Sequence, residues 1–180
     1  MKFFLIAGEP SGDRLGAALI QGFDKRLSYP ADFIGVGGTK MMGMGFDSLF
    51  PMEEISIMGV GEILSRYFFL KKRIAQTAQS VLDAKPDALI TIDLPEFNLR
   101  VADIVRKHSD IPIIHYVAPT VWAWRPNRAV KMANFIDHVL ALLPFEPPYM
   151  TAAGMSCDFV GHPRSEEHTS ELQSQFRISY

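Results

Sequence analysis

Asp93 stands in Ile92-Asp93-Leu94-Pro95-Glu96-Phe97-Asn98, directly after the apolar run Ala88 to Ile92. A carboxylate at the end of such a run can accept a proton from a bound hydroxyl, with Glu96 and Asn98 close enough to orient it. Equally, Asp93 or Asn98 can cap the helix that follows, with Pro95 near its first turn. A second loop, Gly8-Glu9-Pro10-Ser11-Gly12-Asp13, supplies glycines for a tight turn, exposed N–H groups for an anion or sugar hydroxyls, and Ser11 or Asp13 as caps. It is not a serine-hydrolase elbow, because Ser11 lies one residue off the Gly-x-Ser-x-Gly spacing. It is not a dinucleotide fingerprint either, since neither this loop nor Gly35-Val36-Gly37-Gly38-Thr39-Lys40 supplies the third glycine. In His115-Tyr116-Val117-Ala118-Pro119-Thr120-Val121-Trp122-Ala123-Trp124-Arg125 the two tryptophans stand near Arg125 and Arg128, a set suited to a sugar face and a phosphate or to core aromatic packing with solvated arginines. His108, His115, His138 and His162 show no ligand spacing, so neither a metal site nor a cofactor is expected.

These loops need a scaffold, and the pattern supplies one. Lys2 to Ala7, Phe33 to Val36, Ala88 to Ile92, Ile113 to Tyr116, Val139 to Leu143 and Phe159-Val160 are short apolar runs, read as strands buried on both faces. Between them Leu15, Ala18, Leu19, Gly22 and Phe23 recur at helical spacing, as do Val101, Ile104 and Val105. The alternation predicts an α/β fold: a Rossmann-like parallel sheet with helices on both faces and ligands at the carboxyl ends of the strands. One helical stretch has a different character. Val60, Ile63, Leu64, Tyr67 and Phe68 share a face, Phe69 and Leu70 widen it, and Arg66, Lys71, Lys72 and Arg73 add positive charge. That is the pattern of a helix lying in an anionic membrane interface, against the plainer reading of a helix packed on the sheet.

Composition narrows the function classes. The 180 residues suffice for one large domain, and 48% hydrophobic with 21% charged residues excludes a disordered, collagen-like or coiled-coil chain. Eighteen Lys and Arg against twenty Asp and Glu give a net charge of −2, without the basic field that nucleic-acid binding uses. A single cysteine, Cys157, makes neither an internal disulfide nor a zinc site, and fits the reducing cytosol. The apolar start ends at Glu9-Pro10, too soon for a signal peptide, and Ile111 to Trp124 falls short of the roughly 20 residues of a membrane span. From Ser165 onward polar residues dominate without an apolar face. Residues 164–180 are therefore expected to be a non-native or disordered tail; they resemble a translated adapter read-through, and the natural sequence is expected to continue differently after Gly161-His162-Pro163.

Several segments together resemble the lipid-A-disaccharide synthase family, inverting glycosyltransferases of the GT-B fold. They are Ala7-Gly8-Glu9-Pro10-Ser11-Gly12-Asp13 with Leu15-Gly16-Ala17, Met52-Glu53-Glu54 with Met58-Gly59, and Ile92 to Asn98. They continue through His115 to Arg125, Leu143-Pro144-Phe145-Glu146 and Val160-Gly161-His162-Pro163. The resemblance implies that residues 1–163 are the N-terminal, acceptor-binding domain, with the UDP-sugar-binding domain absent and the fragment alone inactive. It further implies transfer of 2,3-diacylglucosamine from UDP to 2,3-diacylglucosamine 1-phosphate, at the cytoplasmic surface of the inner membrane of Gram-negative bacteria, with a homodimer open for the full-length protein. Asp93 would be the general base. Glu9, Ser11, Gly12 and Asp13 would bind or align the sugar, and Asn98 would hold the Asp93 loop. Glu96 departs from the aspartate of many members, and Trp122, Trp124 and Arg125 would complete the substrate site. The competing readings are another GT-B transferase acting on a lipid-linked amino sugar, and a non-catalytic, flavodoxin-like nucleotide-binding module.

Overall fold

The computed structural model describes residues 1–56, 66–119 and 126–163. Its first strand, β1 (Lys2–Ala7), is buried from residue 3 onward. Because side chains alternate across a strand, Phe4 and Ile6 enter one core while Phe3, Leu5 and Ala7 enter the other. A strand apolar on both sides must be covered on both, and the rest of the chain does this.

The elements after β1 are α1 (Pro10–Arg26), β2 (Asp32–Val36), α2 (Thr39–Met42), β3 (Asp47–Ser48) and a 3₁₀ turn (Met52–Glu54). Then come α3 (Tyr67–Ala84), β4 (Ala88–Ile92), α4 (Pro95–His108), β5 (Ile113–Tyr116), α5 (Pro126–Met132), β6 (His138–Ala141), α6 (Pro147–Ala152) and β7 (Ser156–Phe159). Among the described residues the strands form one parallel sheet in the order β3-β2-β1-β4-β5-β6-β7. Leu15, Ile20 and Met41 of α1 and α2 pack on one face. Ile74, Val101, Met132 and Met150 of α3 to α6 pack on the other. The predicted Rossmann-like sheet with helices on both faces is thus the observed architecture. The strand order reverses at β1, which has β2 on one side and β4 on the other, so the loops after β1 and β4 flank a switch-point crevice.

Four details differ from the sequence reading. On α1 the buried stripe runs through Gly12, Gly16 and Ile20; of the expected face only Leu15 is buried, and Ala18, Leu19, Gly22 and Phe23 are half-buried. The cause is close approach: a Cβ on Gly12 would already stand 3.4 Å from both Ala7 Cβ and the Ile92 carbonyl oxygen. At Gly12 α1 therefore meets the ends of β1 and β4, while Gly16 faces Met41 of α2. Of the run Phe159-Val160, expected to be a buried strand, Phe159 ends β7 at the edge of the observed order and Val160 lies just beyond it, and both are exposed, as are Ser156 and Asp158. Strand β6 stops at Ala141, two residues short of Leu143. Finally, β3, α2 and α6 have no strong periodic signal, being two, four and six residues long.

Gly35 of β2 shows how tightly β1 is clasped. Its φ is +138°, and a Cβ there would lie 2.0 Å from the Leu5 carbonyl oxygen of β1. Gly35→Ala is expected to lower stability by about 3 kcal/mol, read from the urea midpoint of the chain, because the strand would have to take both a strained backbone and a backbone clash.

Candidate active site

The loops that leave β1, β4 and β5, together with the segment after β7, meet at the carboxyl edge of the sheet. Asp93 is the first residue beyond β4, and its N–H donates to the Tyr116 carbonyl at 2.9 Å, adding one more rung to the ladder with β5. The chain then turns through the left-handed region, with φ +51° at Asp93 and +42° at Leu94. Val117 repeats the device after β5: its N–H donates to the Leu140 carbonyl at 3.0 Å and its φ is +79°. A β-branched residue there is a steric outlier, and such strain gathers at functional sites. Leu94 is packed against the loop after β1, where a Cβ on Gly8 would lie 2.1 Å from Leu94 Cδ2, so a larger residue at position 8 would displace the Leu94 side chain.

Asp93 lines a cavity of about 370 Å³ together with Ser11, Arg14, Val117, Leu142, His162 and Pro163. The half-buried carboxylate can take a proton from a hydroxyl, the Ser11 hydroxyl can bond a polar ligand, and the Arg14 guanidinium can face an anion. The structure thus brings Asp93 and Ser11 into the lining of one cavity. Arg14, Val117 and His162 were not singled out for the site, although Arg14 follows Ser11 by three positions and so shares its side of α1.

The remaining expected substrate residues divide. Glu9 is half-buried at the N-terminus of α1, without a side-chain cap bond. Gly12 is buried against Ile92. Asp13 corrects its expectation: only 4% exposed, it points away from the cavity and accepts backbone N–H bonds from Gly38 (2.9 Å), Lys40 (2.9 Å) and Met41 (3.0 Å). It caps α2, and its oxygens are occupied by the fold. Asn98 likewise lies beneath the cleft, fully buried in α4. Glu96 is exposed and paired with Arg128. Trp122, Trp124 and Arg125 lie outside the described residues.

Of the expected membrane helix, Val60, Ile63 and Leu64 also lie outside the described residues. Tyr67, Phe68, Lys71 and Lys72 are exposed, Phe68 to 84%. Arg73 departs from the expectation. Its Nε donates to Glu54 Oε2 at 2.6 Å, and its guanidinium lies 4.5 Å from the Phe50 ring and 5.2 Å from that of Phe69. It faces the protein and fastens α3 to the 3₁₀ turn. Among the described residues no helix is long and apolar enough to cross a membrane, and no group of His, Cys, Asp and Glu is placed to hold a metal ion.

His115, behind this edge on β5, is fully buried with Nδ1 at 2.7 Å from Thr91 Oγ1. Burial, reinforced by the positive charge of Arg128, holds its pKa down at about 4. The imidazole is neutral near pH 7. Burial, with Glu146 and Asp158 adding negative charge, pushes the Cys157 thiol up to about 11, so it is a poor nucleophile.

The family model for lipid-A-disaccharide synthetase matches residues 3–178. The lipid-A-disaccharide synthase of Ruegeria pomeroyi is 63% identical over 163 residues, covering 91% of this chain and 40% of its own length. That of Rhodospirillum centenum is 53% identical over 164 residues, covering 91% and 41%. The chain spans about two fifths of the length of these curated relatives. Among solved structures, an S. aureus MnaA–UDP co-structure superposes with a TM-score of 0.60 at 14% identity, covering 85% of this chain and 40% of that one. The UDP-GlcNAc 2-epimerase of Methanocaldococcus jannaschii gives 0.58 at 15%, covering 90% and 46%. At these identities the likeness is one of fold.

The buried histidine generates a pH prediction. Below pH 6.5 the unfolded chain protonates this imidazole while the folded chain refuses the proton until about pH 4, so stability is lost as pH falls through that window. The loss from this one group is roughly 3 kcal/mol. Urea unfolding at a series of pH values is expected to show a steeper decline from pH 6.5 to 4 for the native sequence than for His115→Gln.

Proposed function

The chain belongs to the lipid-A-disaccharide synthetase family, and on that premise we propose that residues 1–163 form the acceptor-binding part of a hexosyltransferase that joins two acylated glucosamines. The acceptor is 2,3-diacylglucosamine 1-phosphate and the donor is UDP-2,3-diacylglucosamine. The observation that carries this reading is Asp93 at the end of β4, half-buried in a cavity at the strand-order reversal.

The carboxylate of Asp93 takes the proton of the acceptor 6-hydroxyl as that oxygen bonds to the anomeric carbon of the donor. The bond from that carbon to the UDP oxygen breaks on the opposite face, UDP leaves with its electron pair, and the product is a β-1,6 disaccharide 1-phosphate. Ser11 aligns a sugar hydroxyl and Arg14 contributes positive charge on the same wall. The donor site belongs to sequence outside residues 1–163. Both substrates carry acyl chains, so the reaction takes place at the cytoplasmic surface of the inner membrane. The exposed Tyr67 and Phe68 beside Lys71 and Lys72 support that setting.

Two measurements test the reading. With residues 1–163 joined to the remaining sequence of the Ruegeria pomeroyi relative, Asp93→Asn is expected to lower kcat by about 10²- to 10⁴-fold while leaving the thermal midpoint in place; undiminished turnover would remove Asp93 from the mechanism. In co-sedimentation with anionic vesicles, the 180-residue chain carrying Phe68→Glu and Lys71→Glu is expected to stay in the supernatant under conditions where the unaltered chain pellets. Equal partition of the two would count against membrane contact by α3.

A further inference from the structure

We infer that Asn98 is a positioning residue, whose side-chain amide holds the Asp93 backbone in its left-handed turn while Leu94, seated against Gly8, closes the turn from the other side. The inference rests on the reading of Asp93 as the proton acceptor.

The direction of the hydrogen bonds separates this role from an ordinary helix cap. A cap accepts bonds from the free N–H groups of the first helical turn. The N-cap position of α4 is Leu94, which makes no side-chain cap bond. Asn98, one turn into the helix, instead donates backwards: its Nδ2 gives one bond to the Ile92 carbonyl at 3.1 Å and another to the Asp93 carbonyl at 2.7 Å. These are consecutive carbonyls at the place where the chain leaves the sheet, and the two hydrogens of one NH₂ serve both. The amide cannot be turned over, because Oδ1 would then face two acceptors. Its backbone N–H also binds the Leu94 carbonyl at 3.0 Å. Residues 92, 93 and 94 are thus all held from one buried position.

Two further observations point to positioning rather than packing. Among the described residues Asn98 Oδ1 is buried without a hydrogen-bond partner, so the amide leaves its acceptor unsatisfied while both its donor hydrogens are used. The conformation it holds is strained at two successive non-glycine residues, at φ +51° and +42°. Such a turn persists only where its surroundings over-determine it. Without the amide, Asp93 and Leu94 are free to relax toward extended backbone, which swings the Asp93 carboxylate from its place in the cavity.

The test uses the joined full-length enzyme described above together with the 180-residue chain. Asn98→Ala is expected to lower kcat on the order of 100-fold, the penalty of a misplacement of about 1 Å, with the acceptor KM changed by less than about threefold. In an Asp93→Asn background the same substitution is expected to add almost nothing, because it acts through Asp93. Asn98→Ser, which keeps one donor, is expected to fall between and serves if the alanine variant folds poorly. In the 180-residue chain, hydrogen exchange at the Asp93 N–H is expected to quicken while the amides of β1 keep their protection. A kcat loss of equal size with and without Asp93, or an acceptor KM effect alone, overturns the inference. So does unchanged exchange at Asp93. If Asp93→Asn is itself fully active, the mechanistic reading fails, and the inferred role of Asn98 in turnover fails with it; exchange at Asp93 then reports separately on whether Asn98 holds the turn.

Discussion

The register between β1 and β4 sets Ala7 beside Ile92, and the carboxyl edge of the sheet depends on that alignment. A slip of one residue would exchange the two faces of β1, moving Phe4 and Ile6 out of one core and Phe3 and Leu5 out of the other. A slip of two would preserve the faces but shift Gly8 by about 6 to 7 Å along the strand, away from the Leu94 side chain that fills its missing Cβ. Two-sided burial thus excludes a slip of one and the contact of Gly8 with Leu94 disfavours a slip of two, and the resulting alignment brings the loop after β1 against the loop that carries Asp93. Gly12 extends the same contact, letting the first turn of α1 rest on the Ile92 carbonyl.

Three buried polar side chains, Asp13, Asn98 and Glu146, share one assignment, which is to hold backbone near strand ends. Asp13 collects three N–H groups beyond β2. Asn98 donates to two carbonyls at the end of β4. Glu146, 3% exposed, accepts from the Leu143 N–H at 2.9 Å beyond β6. Each fixes backbone at or just beyond the end of a strand, and of the three only Asn98 leaves a buried side-chain atom, Oδ1, without a partner among the described residues. Thr91 and His115 form a further buried pair between β4 and β5. The imidazole remains neutral there, so His115 adds no positive charge toward Arg128, which pairs with Glu96.

Much of this was legible in the sequence where the signal is periodic or local. The continuous apolar runs Lys2–Ala7, Ala88–Ile92 and Ile113–Tyr116 are strands with those bounds, because a strand covered on both faces has no polar alternation to blur its ends. The position of Asp93 beyond β4 followed from the same run. The role of Asp13 was less accessible, since a carboxylate in a glycine loop fits ligand binding and backbone binding equally well; for Asn98 the sequence suggested a hold on the Asp93 loop but not which carbonyls it would bind. Only the fold brings residue 13 to residues 38–41. The inward turn of Arg73 was hidden for a similar reason: Glu54 and Phe50 precede it by about twenty positions, and a charge count along one helix does not register them. The edge position of β7 depends on strand order, which an apolar dipeptide such as Phe159-Val160 does not carry.

The added rungs at Asp93 and Val117 have a thermodynamic consequence. Two of the residues that begin cleft loops are hydrogen-bonded to the next strand, Asp93 to β5 and Val117 to β6, so these parts of the cavity wall belong mechanically to the sheet. A ligand meeting such a wall finds backbone that has already surrendered its conformational entropy during folding. The ordering cost that flexible loops impose at the moment of binding is correspondingly small. Differences in affinity among ligands of this wall should therefore follow what each ligand offers to Asp93, Ser11 and Arg14, with little contribution from rearrangement of the strand ends.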